Sequence, residues 1–495
     1  MIESFAKGNP ELIARRYRAE RRFRAYGIAA LAVTALFLTL LIFDIAVKSL
    51  PAFREHHVAL KVMLDGGKID AKNPAKGDFE ALAKDALRRA FPDVSARADR
   101  KKLGGLLSTG AADALRAMVL ADPALIGTEV TVPLLLSDDA DLYLKGFQTR
   151  SVVRPGTASL EIAGTGDAYA ITGGTAGLAA GQIILAHNGA LKITRVGGGP
   201  LSAEALIKPD ATGSVPAGSW SVLNLETPES ARRIDDRQAV WLENLKARGL
   251  VTASFATQFF TEGDSREPEL AGIRGALTGS LLTVALTLLL ALPIGVGAAI
   301  YLELFARKTW LTTLIEVNIN NLAAVPSIIF GLLGLAVFLN IFGMPRSAPL
   351  VGGLVLALLV LPTIVITARA ALKSVPPSIK EAALGVGASH QQAVFHHVLP
   401  LALPGILTGT ILGVSRALGE TAPLLMIGMV AFIADLPGGL TDAATVLPVQ
   451  IFLWSDLPEA AFQSRTAAAI IVLLLVLFSL NAVAIYLRKR FERRW

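Results

Sequence analysis

Six long apolar stretches alternate with polar segments along this chain of 495 residues. In chain order they cover residues 27–47, 270–302, 311–342, 350–368, 399–434 and 466–487. A membrane-spanning helix needs about 20 mostly apolar residues, and every stretch is long enough. The pattern therefore predicts six transmembrane helices, and an even number places both termini on the same side of the membrane.

Residues 48–269 break this pattern with mixed charges and short periodic segments, which predicts an inserted α+β domain. Its first half favours helices, one of them capped by Asp78 with an apolar face that begins at Phe79. Its second half favours strands at 131–136, 159–162, 182–186 and 190–196, with a tight turn at 187–189 that makes the last two a hairpin. Residues 238–248 are predicted to form an amphipathic helix that leads back to the membrane.

Composition and charge agree with a membrane protein and predict its orientation. The chain is 53% hydrophobic, with a mean hydropathy of +0.54 and a net charge of +7. Lys and Arg are concentrated before the first stretch, after the last one and in the segments 303–310 and 373–398, whereas residues 435–464 have none. By the positive-inside rule, these basic segments are cytoplasmic and the 48–269 domain lies on the opposite, non-cytoplasmic face. Basic flanks beside anionic lipid explain the sequence pI of about 9.5 without nucleic acid.

The resulting division of the chain has five parts. Residues 1–26 form a basic cytoplasmic segment and residues 27–47 a retained transmembrane anchor, since the apolar core is long for a cleaved signal peptide. The non-cytoplasmic domain at 48–269 follows, then a transmembrane core at 270–487 with a cytoplasmic loop at 376–399, and a basic tail at 488–495.

Motifs for catalysis are missing from the sequence. It has no G-x-x-x-x-G-K-[ST] phosphate loop, no G-x-S-x-G elbow, no H-E-x-x-H pair and no cysteine. The six histidines do not have the spacing of a metal site. We therefore expect no catalytic residues, no metal and no cofactor in this chain.

The loop at 376–399 and the stretch after it carry the candidate functional residues. Ser378 is predicted to cap a short helix whose small residues leave a smooth surface, with Glu381 at the third helical position. Such a helix suits docking in a groove of another protein, and an ordinary capped helix at the membrane surface is the alternative. Farther on, Arg416 and Glu420 have the i, i+4 spacing of a helical pair.

An arginine within the bilayer costs about 2.5–3.5 kcal/mol on insertion scales, so it is expected to face a bundle or a cavity. Arg416 held by Glu420 suits binding of a tetrahedral oxyanion, with hydroxyl donors from Ser415 and Thr421. The alternative is an ion pair that fixes helix packing, and Gly419 is a candidate for close helix approach. Asn321 and Ser327 flank Pro326 in the third stretch and are predicted to line the same path, or to bond neighbouring helices.

In its loop at 376–399 and in the stretch that contains Arg416 and Glu420, the sequence resembles the permease subunits of bacterial ABC importers, most closely the PstA type of the phosphate uptake system. The family loop pattern maps to Glu381, Ala382, Ala383, Gly387, Leu399 and Pro400. ALPGILTG at 402–409, RALGETAPLL at 416–425, NLAAVPSIIFGL at 321–332 and LPTIVITARAALKSVP at 361–376 are similar to the phosphate-permease signature. Three positions depart from the family pattern: His397 stands in place of an isoleucine, and Arg369 and Ala370 stand where acidic residues are expected.

The resemblance implies an ABC importer type I permease core that takes up inorganic phosphate and is itself non-catalytic. It also implies a bacterial inner membrane, with the 48–269 domain in the periplasm. Its implied partners are a second homologous permease, two ATPase subunits that bind the ATP, and a periplasmic phosphate-binding protein. It also implies that the loop 381–399 couples to the ATPase and that Arg416 with Glu420 lies near the phosphate path. From the residue pattern itself, we expect the substrate path to include Thr421, Ser415, Asn321 and Ser327 as well. Two alternatives stay open: a permease for sulfate or molybdate, and a membrane-anchored periplasmic ligand sensor, which six spans with a coupling-type loop disfavour.

Overall fold

The computed structural model describes residues 10–70, 72–147, 151–197 and 199–491. They form two compact units: Pro51–Thr278 together with Phe432–Gly438 make one, and the other described segments make the second. Lys7, Arg493 and Arg494, which belong to the basic termini of the predicted topology, lie outside the described residues.

The first helix, α1 (Pro10–Ser49), is a single 40-residue helix that runs through both the basic segment and the predicted anchor. Its most apolar stretch is not buried by protein on any side, as expected for a helix surrounded by lipid. It contacts the last helix of the chain.

A helical lobe built on a three-stranded sheet begins the 51–278 unit. Antiparallel β1 (Arg54–Met63) lies between β2 (Glu129–Leu135) and a later strand, β11 (Val251–Phe255). The helices of this unit are α2 (Phe79–Ala90), α3 (Arg97–Gly104), α4 (Ala111–Ala121), α5 (Asp138–Leu144), α6 (Asp236–Ala247) and α7 (Gln258–Thr261). Alternate residues of β1, including Val58, Leu60 and Val62, pack with the helices in one core.

The structure confirms the predicted cap and apolar face of α2. The Asp78 carboxylate accepts a hydrogen bond from the backbone N–H of Ala81, and the helix buries Phe79 and Leu87. The prediction for 238–248 is right about a helix and wrong about where it leads. α6 packs into the core through Trp241 and Leu245, and the chain continues into β11, which pairs with β1.

An eight-stranded antiparallel sheet forms the second lobe of this unit, in the order β3-β10-β6-β7-β8-β5-β4-β9. Its strands are β3 (Ser151–Pro155), β4 (Leu160–Thr165), β5 (Ala168–Gly173), β6 (Ile183–Ala186), β7 (Gly189–Arg195), β8 (Leu201–Ile207), β9 (Gly213–Val215) and β10 (Ser221–Leu225). The predicted hairpin is confirmed: β6 pairs with β7 across His187 and Asn188, whose φ angles are 47° and 59°. Positive φ at both positions is the geometry of a type I′ turn.

The membrane unit is helical. Its helices are α8 (Arg274–Ile300), α9 (Trp310–Ala323), α10 (Ser327–Leu333), α11 (Pro349–Lys373), α12 (Pro377–Gly385), α13 (His390–Gln392), α14 (Leu399–Gly419), α15 (Ala422–Met426), α16 (Leu447–Ser455) and α17 (Ala460–Phe491). Three π-helical segments extend α8, α10 and α13, at Tyr301–Phe305, Gly334–Ile341 and Ala393–Val398. The first turn of α8 belongs to the other unit.

Five described helices are long and apolar enough to cross a membrane, and a sixth span is obtained only if one bent pair of helices is counted. That pair is α9 with the helix from Ser327 to Ile341, which meet at an angle of 105°. The predicted third span is therefore interrupted at Pro326. The predicted fifth span is shorter than the apolar stretch, because its helix ends at Gly419 rather than near residue 434.

Close packing of α14 against α11 depends on three glycines spaced four residues apart. A Cβ atom at Gly405 would lie 2.6 Å from Cβ of Ala371, and one at Gly413 would lie 2.6 Å from Val360. At Gly409 a Cβ would overlap the side chain of Thr367. Small residues at this spacing let two helix backbones approach closely. Gly419, for which this role was predicted, has open space around it, so that prediction is wrong.

Candidate functional site

Arg416 and Glu420 lie at a break in the chain rather than on a continuous helix. Arg416 is in the last turn of α14, and the backbone at Glu420 is extended, with φ −79° and ψ 124°. The two side chains still pair, since Arg416 Nε donates a hydrogen bond of 3.3 Å to Oε1 of Glu420. The predicted pair is confirmed, but the predicted single helical face is wrong because Glu420 lies beyond the helix end.

Exposure differs between the two partners of this pair. The Arg416 side chain is 40% exposed, and that of Glu420 is 19% exposed. Within the described residues Arg416 is hydrogen-bonded through Nε alone, so its two terminal nitrogens have no hydrogen-bond partner there. We call these two residues the open arginine centre.

The two predicted hydroxyl donors occupy different environments. Thr421 lies at the break itself, as the residue before α15, and is half-buried. The hydroxyl of Ser415 instead donates to Oδ1 of Asn481 on α17 at 2.9 Å. Ser415 therefore fastens two helices in this structure, whereas Thr421 is positioned beside the open arginine centre.

The second break, between α9 and α10, contains the other two predicted path residues. Asn321 is exposed in the last turn of α9, and Ser327 is half-buried as the first residue of α10. Neither side chain is hydrogen-bonded to Arg416 or Glu420 in the described part of the chain. The shared polar path therefore stays a prediction.

The short helices that follow the two breaks pack against each other. A Cβ atom at Gly331 of α10 would lie 2.6 Å from Cα of Pro423 in α15, so the two backbones are in direct contact there. The two interrupted segments are therefore packed together at this glycine.

A second arginine centre was not predicted, although its central residue was noted as a departure from the family pattern. The terminal nitrogen Nη2 of Arg369, on α11, lies 2.9 Å from Oε1 of Glu316 and 3.3 Å from Oε2 of Glu303. Its Nε also donates to Glu303, and the arginine side chain is 24% exposed. Three segments are joined at this point, which we call the closed arginine centre. Sequence spacing offers no signal for it, because the three residues are far apart in the chain.

The predicted coupling loop contains an exposed helix, α12, at 377–385. The expected cap at Ser378 is wrong: the cap is Pro376, two residues earlier, and Pro377 is the first residue of the helix. Proline is favoured at this first position because its missing N–H has no partner in a helix anyway. Glu381 consequently lies in the second turn and is exposed, as is Ala382, whereas Ala383 is buried.

The rest of the loop turns and leads into α14. Gly387 follows Val386, the residue that caps the end of α12. Its φ of 92° is a left-handed conformation that glycine adopts without strain. Leu399 and Pro400 are half-buried at the start of α14. His397, which replaces an apolar residue of the family pattern, is exposed in the π-helical segment, so its polarity has no burial cost.

Apolar side chains of this loop remain uncovered. Val386 is 87% exposed, Phe395 51% and Leu384 37%. An exposed apolar group beside a charged residue is typical of a surface that another protein covers.

Residues 291–495 match the family described as binding-protein-dependent transport system inner membrane component, and residues 11–154 match a domain of unknown function, DUF3333. The probable ABC transporter permease protein YqgI of Bacillus subtilis is 31% identical over 240 residues, which cover 46% of this chain and 81% of that protein. The chain belongs to this family of ABC transporter permeases.

Two further relatives have names that describe them as phosphate transport system permease proteins. The phosphate transport system permease protein PstA of Yersinia pestis is 32% identical over 213 residues, covering 43% of this chain and 71% of that protein. PstC of Haemophilus influenzae is 32% identical over 237 residues, covering 43% and 73%. The predicted resemblance to PstA-type permeases is thereby confirmed. The protein is a multi-pass membrane permease of a normally non-catalytic family.

Proposed function

We propose that this permease is one of two membrane subunits of an ATP-driven importer for inorganic phosphate. The observation that carries the proposal is the open arginine centre at the break after α14. Its guanidinium has one carboxylate partner, bound through Nε, and 40% of the side chain is exposed. The remaining N–H groups form a planar fork that matches two oxygens of a tetrahedral oxyanion.

Glu420 supplies a reason for phosphate rather than sulfate or molybdate. Phosphate near neutral pH carries a P–OH group, which can donate a hydrogen bond to a carboxylate. Sulfate and molybdate are fully ionised there, have no donor and are repelled by the same carboxylate. Sites that hydrogen-bond a substrate hydroxyl reject analogues that lack it by large factors. The names of the PstA and PstC relatives point to the same substrate.

Docking of the ATPase is the second part of the proposal. The exposed α12 with Glu381 and the uncovered side chains of Leu384 and Val386 form the contact surface. ATP is bound by two partner subunits, so the permease itself needs no cofactor. In this arrangement a movement of α12 reaches the open arginine centre through α14, which follows the loop directly.

The topology completes the proposal. The termini and the loop 376–399 face the cytoplasm, where their Lys and Arg residues are favoured. The 51–278 unit then faces the periplasm, as does the segment that follows α15. A soluble phosphate-binding protein delivers the substrate on that side, and a second homologous permease completes the pathway.

The test is phosphate uptake by proteoliposomes that contain the permease pair, the ATPase and the binding protein. We expect uptake that depends on ATP and resists competition by excess sulfate or molybdate. The variant Glu420→Gln removes the acceptor for the P–OH group, and we expect it to weaken this discrimination by about tenfold or more. Uptake of sulfate or molybdate in preference to phosphate by the wild type would reject the substrate assignment.

Coupling is tested in the same vesicles with Glu381→Lys. We expect ATP hydrolysis to continue while uptake falls, because the docking surface then carries the wrong charge. Lys380→Glu is the matched control, since it reverses the charge of the neighbouring residue on the same helix. Unchanged coupling in Glu381→Lys would reject the docking surface.

A further inference from the structure

A groove of about 1110 Å³ lies beside α2 and α3 in the helical lobe of the 51–278 unit. Its charged lining consists of five cations and one carboxylate: Lys84, Arg88, Arg97, Arg100, Lys101 and Glu80. We call it the basic groove. It is separate from both arginine centres, which belong to the membrane unit.

Three of the five cations have no carboxylate partner. On α2, Lys84 pairs with Glu80, and Arg88 pairs with Asp85 at 2.8 Å. On α3, by contrast, Arg97, Arg100 and Lys101 have no carboxylate within 4 Å in the described part of the chain. The side chain of Arg100 donates one hydrogen bond, from Nε to the backbone oxygen of Val94 at 3.2 Å.

This arrangement is unfavourable for α3 considered alone. Arg97 and Lys101 are four residues apart, and like charges at that spacing destabilise a helix by a few tenths of a kcal/mol. Arg97 is also the first residue of the helix, where the helix dipole disfavours a positive charge. A local arrangement that costs stability is expected where a surface has a function.

The opposite face of α3 is neutralised and fixed. Asp99 pairs with Arg237 of α6, and Lys102 lies 2.7 Å from Asp235, the residue that caps α6. That hydrogen bond to Asp235 raises the pKa of Lys102. Leu103 is fully buried in the core of the lobe. The three unpaired cations therefore belong to a helix that is held in place, and they are exposed on its outer face.

Their exposure indicates what kind of partner they suit. An exposed ion pair contributes about 0–1 kcal/mol and is screened by salt, so these cations offer little affinity for one small ion. Several like charges spread over a surface instead accelerate the approach of an oppositely charged macromolecule. The guanidinium groups of Arg97 and Arg100 also match carboxylates of a protein surface.

We propose that the basic groove is a docking surface for an acidic face of the soluble binding protein that delivers the substrate. This inference rests on the proposed function, since it assumes an importer with a soluble delivery protein. It assigns a role to the extracytoplasmic unit: electrostatic capture of that protein, ahead of substrate transfer to the membrane unit.

The experiment measures association of the purified cognate binding protein with the complete transporter in nanodiscs, by stopped-flow fluorescence at about 20 mM and about 500 mM NaCl. The test variant is Arg97→Glu with Lys101→Glu. The control, Arg154→Glu with Arg195→Glu, changes the net charge equally at two exposed positions of the eight-stranded sheet.

At low salt we expect the association rate constant of the test variant to fall about tenfold or more, with a smaller change in dissociation. The difference should vanish at high salt, and the control should stay within about twofold of the wild type. An unchanged rate, or an equal loss in the control, would overturn the proposal. So would polyphosphate binding that is lost in the test variant while capture of the binding protein is unaffected.

ATPase activity in the same nanodiscs separates this inference from the proposed function. If only the docking proposal fails, phosphate-loaded binding protein at saturating concentration still stimulates ATP hydrolysis in the wild type and both variants. If the proposed function fails, phosphate loading makes no difference even in the wild type.

Discussion

The two arginine centres of the membrane unit differ in how their charge is balanced. Arg416 shares its guanidinium with one carboxylate and keeps free N–H groups beside a helix break. Arg369 contacts two carboxylates, from Glu303 and Glu316, and ties three helical segments together. The first centre is neutral as a pair and has unused donors. The second has one negative charge in excess, and both Nε and Nη2 of its arginine contact carboxylates.

When two sites among apolar helices both contain an arginine, the availability of the guanidinium N–H groups distinguishes a substrate site from a structural one. A guanidinium whose donors are already satisfied has little to offer an incoming anion, and the excess carboxylate repels it. A guanidinium with free donors at an interruption of the helix can exchange partners without breaking the fold. We therefore expect changes at Arg416 to affect transport and changes at Arg369 to affect stability.

The largest effect is expected for Arg416→Ala. Loss of a charge-assisted hydrogen-bonding group in a partly buried site costs about 3 kcal/mol, or roughly 150-fold in rate or affinity. Phosphate uptake by proteoliposomes should therefore be nearly abolished, while assembly with the ATPase and the thermal unfolding temperature stay close to those of the wild type.

The matched control for that change is Arg346→Ala, which removes an exposed arginine from the segment before α11. Its uptake should remain within about twofold of the wild type, because an exposed charge away from the helix breaks contributes little. Normal uptake by Arg416→Ala would remove the distinction between the two centres.

A smaller effect, on stability instead of transport, is expected for Arg369→Met. Two carboxylates would then face each other without a cation, which we expect to lower the free energy of unfolding by about 1–3 kcal/mol, given the partial exposure of the centre. Thermal unfolding in detergent measures this. Adding Glu303→Gln and Glu316→Gln should restore most of the loss, and a loss of transport without a loss of stability would show that this centre acts on the substrate.

The smallest effect is expected for Glu316→Gln. Arg369 keeps Glu303 as a partner, so the closed centre becomes a neutral pair and stability should change by less than about 1 kcal/mol. Transport and its selectivity should also be unchanged, since the membrane segments remain joined through Glu303. A strong transport defect in this variant would mean that the excess negative charge has a function of its own.

Much of the fold follows from local patterns in the sequence. The cap at Asp78 and the hairpin at His187 and Asn188 each depend on a few neighbouring residues, and each is confirmed. The end of α14 at Gly419 was missed because the apolar pattern continues past it. Hydropathy records which residues tolerate lipid, whereas the helix end depends on the backbone at Glu420 and on Pro423 just beyond it.

In the candidate site, too, only interactions between residues close in the sequence could be predicted. The spacing of Arg416 and Glu420 indicated their pairing, because that interaction is local. The partners of Arg369 and the hydrogen bond from Ser415 to Asn481 were not predictable, because each joins residues 53 or 66 positions apart. The glycines at 405, 409 and 413 did carry a readable signal, and their spacing would have indicated the close approach that was assigned to Gly419.

The most direct test of the open arginine centre uses the absence of cysteine from the chain. In the variant Thr421→Cys, the rate of labelling by a small charged maleimide is measured on the transporter with and without phosphate, and with sulfate as the comparison anion. We predict that phosphate slows labelling several-fold, that sulfate does not, and that the protection is lost when Arg416→Ala is added. Equal labelling rates with and without saturating phosphate would contradict the assignment of this centre to the substrate.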